Sequence, residues 1–519
     1  VDYVIYAYDK ALKATDLYGN YDDTGYPVSV YDEELGLGYM SADGRKITSS
    51  GLWIYRERWK RAAVVHAQCG RANYTMDSQH VQAHYQPAYG FIGLWAPCER
   101  GYYNHHLDRD NYDFYGSLER YYAYNPSHAF GQIGCAIGLG STQKKMNLLV
   151  RDTRVMMMMA LLHDQDIGTF GNRDLRTVYR LREARNVFKQ WEDDVSFTGY
   201  WDEACPVSAK NKDFRVSLYR RPNSALFFIG NVGEAGKSRI VPDWKALGLD
   251  PKTARLGDPE TGEKIAMEKG GFTVTLPRHG LRLVLAGDLS GYAWQPSSDP
   301  GRDLPKPATV LAELSDPLRG PELDPAWTVD LREGVSSVGF VDNRCYVQAA
   351  HYGYGHIRRK LGVDNVSVQC MILERGTGCS DSYCGSMGLW WENGAFVRVI
   401  LGGKSKKFYY EFTGTRPAYG REMNTKSAPR WYPFFANGVK IQLAPDAIRF
   451  FVSTDGKTWK KDHEIPRSPK LSGAPAWVIL GKGGSQGKEP FFKNIISRHF
   501  RPDRGNHVPV FTDFVVGRE

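Results

Sequence analysis

The chain has 519 residues, too many for one hydrophobic core, so roughly two to four domains are expected. Its 42% hydrophobic and 24% charged content is that of globular protein and excludes a disordered or fibrous chain. The 67 Lys and Arg against 58 Asp and Glu leave a mild +9, with no basic run beyond "KSKK" (Lys404 to Lys407) to track a nucleic acid, and no apolar stretch approaches the ~20 residues of a membrane span.

Up to about Trp201, strand and helix patterns alternate. Val1 to Thr15 carries apolar residues at helical spacing, and the strand Leu17 to Tyr21 ends in two adjacent acids, Asp22 and Asp23. An amphipathic helix, Gly51 to Gln68, is followed by strands at Ala72 to Ser78, Tyr89 to Glu99 and Phe130 to Gly140. Gln143 to His163 reads as a helix whose "VMMMMALL" segment is flanked by charges and therefore buried in protein. A strand at Asp166 to Gly171 and a helix at Leu175 to Gln190 close the region. The alternation predicts a parallel α/β sheet over residues 1–201, of the (β/α)₈ kind but with five strand–helix units where a closed barrel needs eight. The missing units are expected in a preceding segment or an additional chain.

Residues 202–293 lose the helical signal and read as an antiparallel β-sandwich, and residues 294–309 form a Pro-rich linker. Residues 310–519 carry six or more strand patterns with turn residues between them, which predicts a two-sheet β jelly roll. The expected architecture is thus an incomplete α/β barrel followed by two all-β sandwich domains.

The 31 Tyr and 13 Trp suit stacking on sugar C–H faces and suit tyrosine-rich β-sheet equally well. Eight cysteines show no metal-ligand spacing. Cys379 and Cys384 in "CSDSYC" are close enough in sequence to close a small loop, which fits an extracellular or periplasmic location, and Cys69, Cys98 and Cys135 read as buried thiols.

"YDDTGYPVSVYDEELGLGYMSADGRK", "RERWKRAAVV", "YTMDS" and "GFIGLWAPCE", in that order, resemble the C-terminal half of a glycosidase-like (β/α)₈ barrel, similar to glycoside hydrolase family 123, in which a β-sandwich follows the barrel. The resemblance covers about Val1 to Asp288 and rests on order and spacing. "LSDPLRGPELDPAWTV" and the hairpin "FFVSTDGKTW" resemble a concanavalin-like (laminin-G-like) module, a class that binds glycans or serves as an appendage. The first resemblance implies an adjacent Asp-Glu pair, in which the Asp orients the acetamido group of the substrate for attack on C1 and the Glu is the general acid. Asp22-Asp23 stands at that place, with the acid shorter by about one methylene.

Barrel enzymes keep their chemistry at the C-terminal ends of strands, which makes Asp22, Asp23, Asp77, Glu99 and either Asp164 or Asp166 the candidate acids. Glycoside hydrolysis needs two carboxyls, one protonated and one ionised. Adjacent strand residues point to opposite faces, so Asp22 and Asp23 cooperate only if the backbone bends at Thr24-Gly25. Asp23 paired with Glu99 across the barrel is an equal geometry, and Asx turns that merely start a loop are the alternative to both. Tyr21, Tyr26, Trp95, Tyr102, Tyr103 and Trp201 are candidate sugar subsites. In "GLWWENGAF", Trp390 and Trp391 fall on opposite sheet faces, one for the core and one as a sugar platform; Trp390 is the candidate for the platform. His105-His106 and His163-Asp164 lack a third metal ligand, so neither metal nor cofactor is expected. Asp202-Glu203 reads as a surface junction. The leading expectation is a secreted glycoside hydrolase-like protein acting on a complex polysaccharide, anionic or N-acetylated, through Asp22, Asp23 and Glu99. The alternative is a non-catalytic extracellular scaffold that binds glycans.

Overall fold

The computed structural model describes residues 2–16, 19–22, 29–49, 51–71, 75–79, 94–96, 110, 112–113, 116–124, 133–136, 145–167, 174–289, 304–331, 335–349, 355–376, 385–402, 407–413, 418–422, 436–482 and 507–519. It divides into two compact units: Val1–Leu139, Asp152–Gly171 and Val178–Pro296 form the first, and Gly140–Arg151, Asn172–Thr177 and Ser297–Glu519 the second. Among the described residues, strands outnumber helices.

In the first unit, the strands Gly19–Asp22, Thr75–Gln79, Leu94–Ala96, Ile133–Ala136 and Asp166–Ile167 form a parallel sheet in that order. Successive strands of this sheet lie side by side in it and run parallel, so each pair needs a crossover connection. Among the described residues the ladder is open: no pairing joins its first strand to its last, so a (β/α)₈ barrel is not shown. The helix Asp2–Ala14 turns Ile5 and Leu12 onto Trp59, Ala62 and Val65 of the helix Leu52–Gln68, a stripe at the spacing of successive helical turns.

A β-sandwich completes the unit. One sheet runs Arg255–Gly257, Leu281–Gly287, Ser224–Asn231, Phe214–Arg221 and Ser196–Thr198, and the other Phe272–Leu276, Gly236–Pro242 and Val207–Ala209, all antiparallel. The strand Ser196–Thr198 lies ahead of Asp202 yet already pairs with Phe214–Arg221, so the sandwich takes in residues before the change of pattern seen in the sequence. Every residue of Ser224–Asn231 is buried, because the strand is covered on both faces. Ala225, Phe227 and Ile229 face the three-stranded sheet, whereas Leu226 and Phe228 pack with Leu283 and Leu285 against the helix Met146–Leu162. That helix has no solvent side from Val155 to Leu162: the sandwich sheet covers one side, and Val178, Leu181 and Ala184 of the helix Leu175–Asn186 with Leu118 and Tyr121 cover the others. Four successive methionines suit such a position, since their unbranched side chains fill irregular gaps.

The second unit is built on two antiparallel sheets. The larger has the order Ser337–Val341, Arg344–Gln348, His507–Arg518, Ser367–Gly376, Ala436–Leu443, Ala447–Ser453 and Lys460–Pro466, with Thr309–Val310 added on His507–Arg518. The other runs Trp327–Leu331, Gly355–Lys360, Trp477–Lys482, Gly385–Trp390, Phe396–Gly402, Lys407–Phe412 and Ala418–Glu422. Alternate residues of both, among them Val347, Val368, Ile441 and Phe450 from one and Ile357, Met387, Leu389, Val397 and Leu480 from the other, make a single core. The hairpin read in "STDGKTW" is fixed by Asp455, whose carboxylate accepts from the Lys457 and Thr458 amides, both at 2.9 Å, and from the Thr458 hydroxyl at 2.6 Å. These donors hold its acid form far below the usual carboxylate range.

Cys69 and Cys205 are half-buried free thiols, and Cys345 and Cys370 are buried ones. Burial pushes the Cys345 thiol up to about 12. Cys98, Cys379 and Cys384 lie outside the described residues, and of Cys135 only the backbone, in Ile133–Ala136, is described.

Gly230 lets the methionine helix approach the sandwich sheet: a Cβ there would stand 2.8 Å from both Leu162 Cδ1 and Met158 Cγ. Gly230→Ala is therefore expected to lower unfolding stability by about 1–3 kcal/mol, read from denaturant midpoints. An unchanged midpoint would show that the helix and sheet are not packed this closely.

Candidate functional site

The parallel sheet sets the first candidate site at its C-terminal edge. Asp22, the last residue of its strand, is in register with Ser78, Ser78 with Trp95, and Trp95 with Gly134. At ~4.8 Å between adjacent strands, the backbones of Asp22 and Trp95 are roughly 10 Å apart. Tyr21 and Asp77 share the next row inward, with Leu94 and Ile133. Asp23 is the first residue after one strand and Glu99 the third after another, and both lie outside the described residues with Tyr26, Tyr102, Tyr103, His105 and His106.

The register places two further candidate acids. Asp166 opens its strand opposite Cys135, one row beyond Gly134 and so one row beyond Asp22, Ser78 and Trp95, on the C-terminal side of the sheet. Asp164 lies in the turn before it, with left-handed φ of 54°, and accepts a hydrogen bond from the Tyr219 hydroxyl. Asp164 thus precedes its strand, whereas Asp166 stands in the C-terminal row of the sheet.

His163, in the same turn, is fully buried. Its Nδ1 lies 2.6 Å from the Met159 carbonyl, to which it donates, and its Nε2 then accepts from the Tyr200 hydroxyl at 3.2 Å. Both ring nitrogens are committed, which leaves no lone pair for a metal. Desolvation drives its pKa down to about 4, opposed in part by the Met159 carbonyl and the Glu119 charge, so the imidazole is neutral at pH 7. Four rings surround it: Trp201 is parallel at 5.2 Å, Tyr122 at 5.4 Å, Tyr121 at 5.1 Å and Tyr200 edge-on at 5.5 Å. Below it Tyr121 donates to Gln165 Oε1 at 2.7 Å. Burial raises the Tyr200 hydroxyl well above its ordinary range.

A second polar cluster has no counterpart in the sequence motifs. Asp110 and His279, 169 residues apart and both buried, meet with Nδ1 2.6 Å from Oδ2. Tyr112 covers the imidazole at 4.4 Å. Asp113 brings a second carboxylate, with the three ligand atoms within 4.8 Å, the spacing of a cation site. Arg278 supplies the positive charge: it donates to Asp113 at 2.6 and 3.2 Å and to Glu234 at 3.1 Å. The pairing needs only a carboxylate and a histidine on a tight turn, types too common to single out from sequence.

In the second unit, Trp391 belongs to the core and donates from Nε1 to the Gly473 carbonyl at 3.0 Å. Trp390 lies on the opposite face, but it is only 2% exposed, stacked on Phe396 at 5.2 Å and packed with Ile479 and Trp477. Its ring therefore offers no open face. Beside it Arg398, fully buried, is ion-paired with Glu411, and Arg358 lies over the Trp477 ring at 4.8 Å. Asp202 and Glu203 are exposed, and Asp202 caps the turn by accepting from the Ala204 amide at 2.9 Å.

Residues 183–268 match the family model of the glycoside hydrolase 123 C-terminal domain. The matched segment spans most of the sandwich strands of the first unit. No curated protein matches the chain. Among solved structures, it is similar to the Crh5 transglycosylase, at 12% identity and a TM-score of 0.30 over 42% of this chain and 90% of that one. It is similar also to the catalytic domain of an endo-1,3-β-glucanase (laminarinase) from Thermotoga petrophila RKU-1, at 10% identity and a TM-score of 0.29 over 40% of this chain and 96% of that one. A third is a GH27 β-L-arabinopyranosidase from Geobacillus stearothermophilus, at 14% identity and a TM-score of 0.31 over 45% of this chain and 54% of that one. Likenesses at these TM-scores do not assign an activity to the chain.

His163 makes stability depend on pH in a fixed direction. The unfolded imidazole takes a proton near its ordinary 6.5 and the native one only near 4, so this contribution is complete above pH 6.5 and fades as pH falls. The loss reaches about 3 kcal/mol by the lower value. Denaturant midpoints measured from pH 7.5 to 5 are expected to fall less steeply in His163→Phe than in the native chain. Parallel curves would contradict a neutral, buried His163.

Proposed function

We propose that the protein is a glycoside hydrolase of the hexosaminidase kind, acting on an N-acetylated or anionic polysaccharide outside the cytoplasm. The observation that carries this reading is the position of Asp22, the last residue of a parallel strand and in register with Trp95 two strands away. The match of residues 183–268 to the C-terminal domain of a glycoside hydrolase family supports it from an independent segment. On this reading the five parallel strands are part of a (β/α)₈-type barrel. Glu99 and the aromatic residues Tyr26, Trp95, Tyr102 and Tyr103 line the sugar subsites around the edge. The two antiparallel sheets of the second unit make a concanavalin-like module that accompanies the hydrolase.

The chemistry derives from the acid pair. The acetamido oxygen of the substrate attacks C1, Asp22 orients the acetamide and stabilises the charge it develops, and Asp23 gives its proton to the departing glycosidic oxygen. Water then opens the cyclic intermediate and returns a proton to Asp23. An aspartate in the acid position stands about one methylene back from where a glutamate would reach, which lowers the rate but keeps the proton path.

The alternative, a glycan-binding scaffold without hydrolysis, draws on that same shortened acid. Assays with an aryl N-acetyl-β-hexosaminide decide between the two readings. Asp23→Asn is expected to lower kcat about 10²–10⁴-fold with an unchanged melting temperature, and Asp23→Glu to equal or exceed the native rate. A native protein that binds glycans but leaves the aryl glycoside intact would establish the scaffold reading.

A further inference from the structure

Among the described residues, Trp53, Trp191 and Trp201 are the exposed tryptophans, at 70%, 63% and 41%. Trp201 differs from the other two in how it is held. One face lies parallel on the buried His163 at 5.2 Å and 14°, Tyr122 leans on it at 4.8 Å, and Tyr200 meets it edge-on at 5.0 Å. Phe197 closes the side at 6.2 Å. Beneath the ring is Gly199, where a Cβ would come within 2.5 Å of the indole, so only glycine admits this position. The ring is thus packed on its neighbours before any ligand arrives, which reduces the side-chain entropy lost on binding.

The ring also has a defined place in the sheet. His163 precedes the strand Asp166–Ile167, and the helix Leu118–Tyr124, which carries Tyr122, precedes the strand Ile133–Ala136. In a parallel sheet His163, three residues ahead of Asp166, therefore lies on the N-terminal side of its strand, with Tyr122 packed on it, whereas Asp22 is the last residue of its own strand. Trp201 thus stands away from the edge at which the sequence grouped it with the other sugar-subsite aromatics.

We propose that Trp201, seated on Gly199 and backed by His163 and Tyr122, is a sugar-stacking platform on the N-terminal side of the strand Asp166–Ile167, a second site that holds a polysaccharide chain away from the Asp22 edge. The proposal rests on the glycan reading above for its ligand class, an N-acetylhexosamine polymer. Stacking is the mode of recognition the surroundings favour. The imidazole behind the ring is uncharged, and Glu119 and Arg215, of opposite sign, both act on the neighbouring Tyr200 hydroxyl, so their fields oppose each other. A planar aromatic face with little net charge around it takes the C–H face of a pyranose, and its binding varies little with salt.

Native-gel affinity electrophoresis of the full chain, with glycol chitin or hyaluronan cast in the gel at two salt concentrations, tests the platform. The native protein is expected to be retarded by one of these polymers at either salt. Trp201→Ala should be retarded at least ~10-fold more weakly, the loss of one stacked ring. Because Trp201 covers His163, thermal melts accompany each variant, and Trp201→Leu replaces the alanine variant if the latter melts early. Retardation of the tryptophan variants equal to the native overturns the platform and leaves the glycan reading standing. A native protein that is not retarded yet cleaves the aryl hexosaminide overturns the platform alone, and one that does neither overturns both. Self-association lost in Trp201→Ala, without glycan retardation of the native chain, would make this face a contact between copies and overturn the proposal.

Discussion

The first unit depends on burying the methionine helix from every side. From Val155 to Leu162 it touches the sandwich sheet through Leu226, Phe228, Leu283 and Leu285 and the neighbouring helix through Val178 and Leu181. That demand explains several local features at once. Ser224–Asn231 must be apolar on both faces, since one face serves the helix and the other the inner sandwich core. Gly230 must lack a side chain so that Met158 and Leu162 can close on the sheet. The last turn of the helix then delivers His163 into a place without water, and this keeps the imidazole neutral and its two nitrogens bound to the protein.

Much of this was legible in the chain. The run "VMMMMALL" has no polar face, which identifies a helix covered all round, and the five strands of the parallel sheet fall within or beside the apolar segments that announce them. Among the described residues, the apolar run from Tyr89 to Glu99 holds the ladder residues Leu94–Ala96, and that from Phe130 to Gly140 holds Ile133–Ala136. Alternation correctly set Trp390 and Trp391 on opposite faces, but both faces are covered, and a pattern of period two does not report what lies above a sheet.

The polar sites show the same boundary between local and distant information. The Asx turn at Asp455 is written in four consecutive residues and could be read directly. The Asp110–His279 pair joins residues 169 positions apart, and the hydrogen bonds of His163 depend on a helix carbonyl and on a tyrosine from the sandwich region. Asp164 and Asp166 passed as candidate acids because an acid next to a short strand looks alike at either end. Only the parallel register separates them: Asp164 precedes its strand, whereas Asp166 opens it one row beyond Asp22.

The proposed acid pair begins at Asp22, the last residue of its strand, and the proposed aromatic platform is Trp201, stacked on His163. The catalytic role of that pair requires the substrate's acetamido group to take part in the reaction. Initial rates on an aryl N-acetyl-β-hexosaminide and on its N-trifluoroacetyl counterpart test that requirement most directly. Fluorine withdraws electrons from the attacking carbonyl oxygen, so participation predicts a rate lower by at least about tenfold, on the order of 1.4 kcal/mol in the barrier. Equal rates on the two substrates, or no hydrolysis of either, would contradict it.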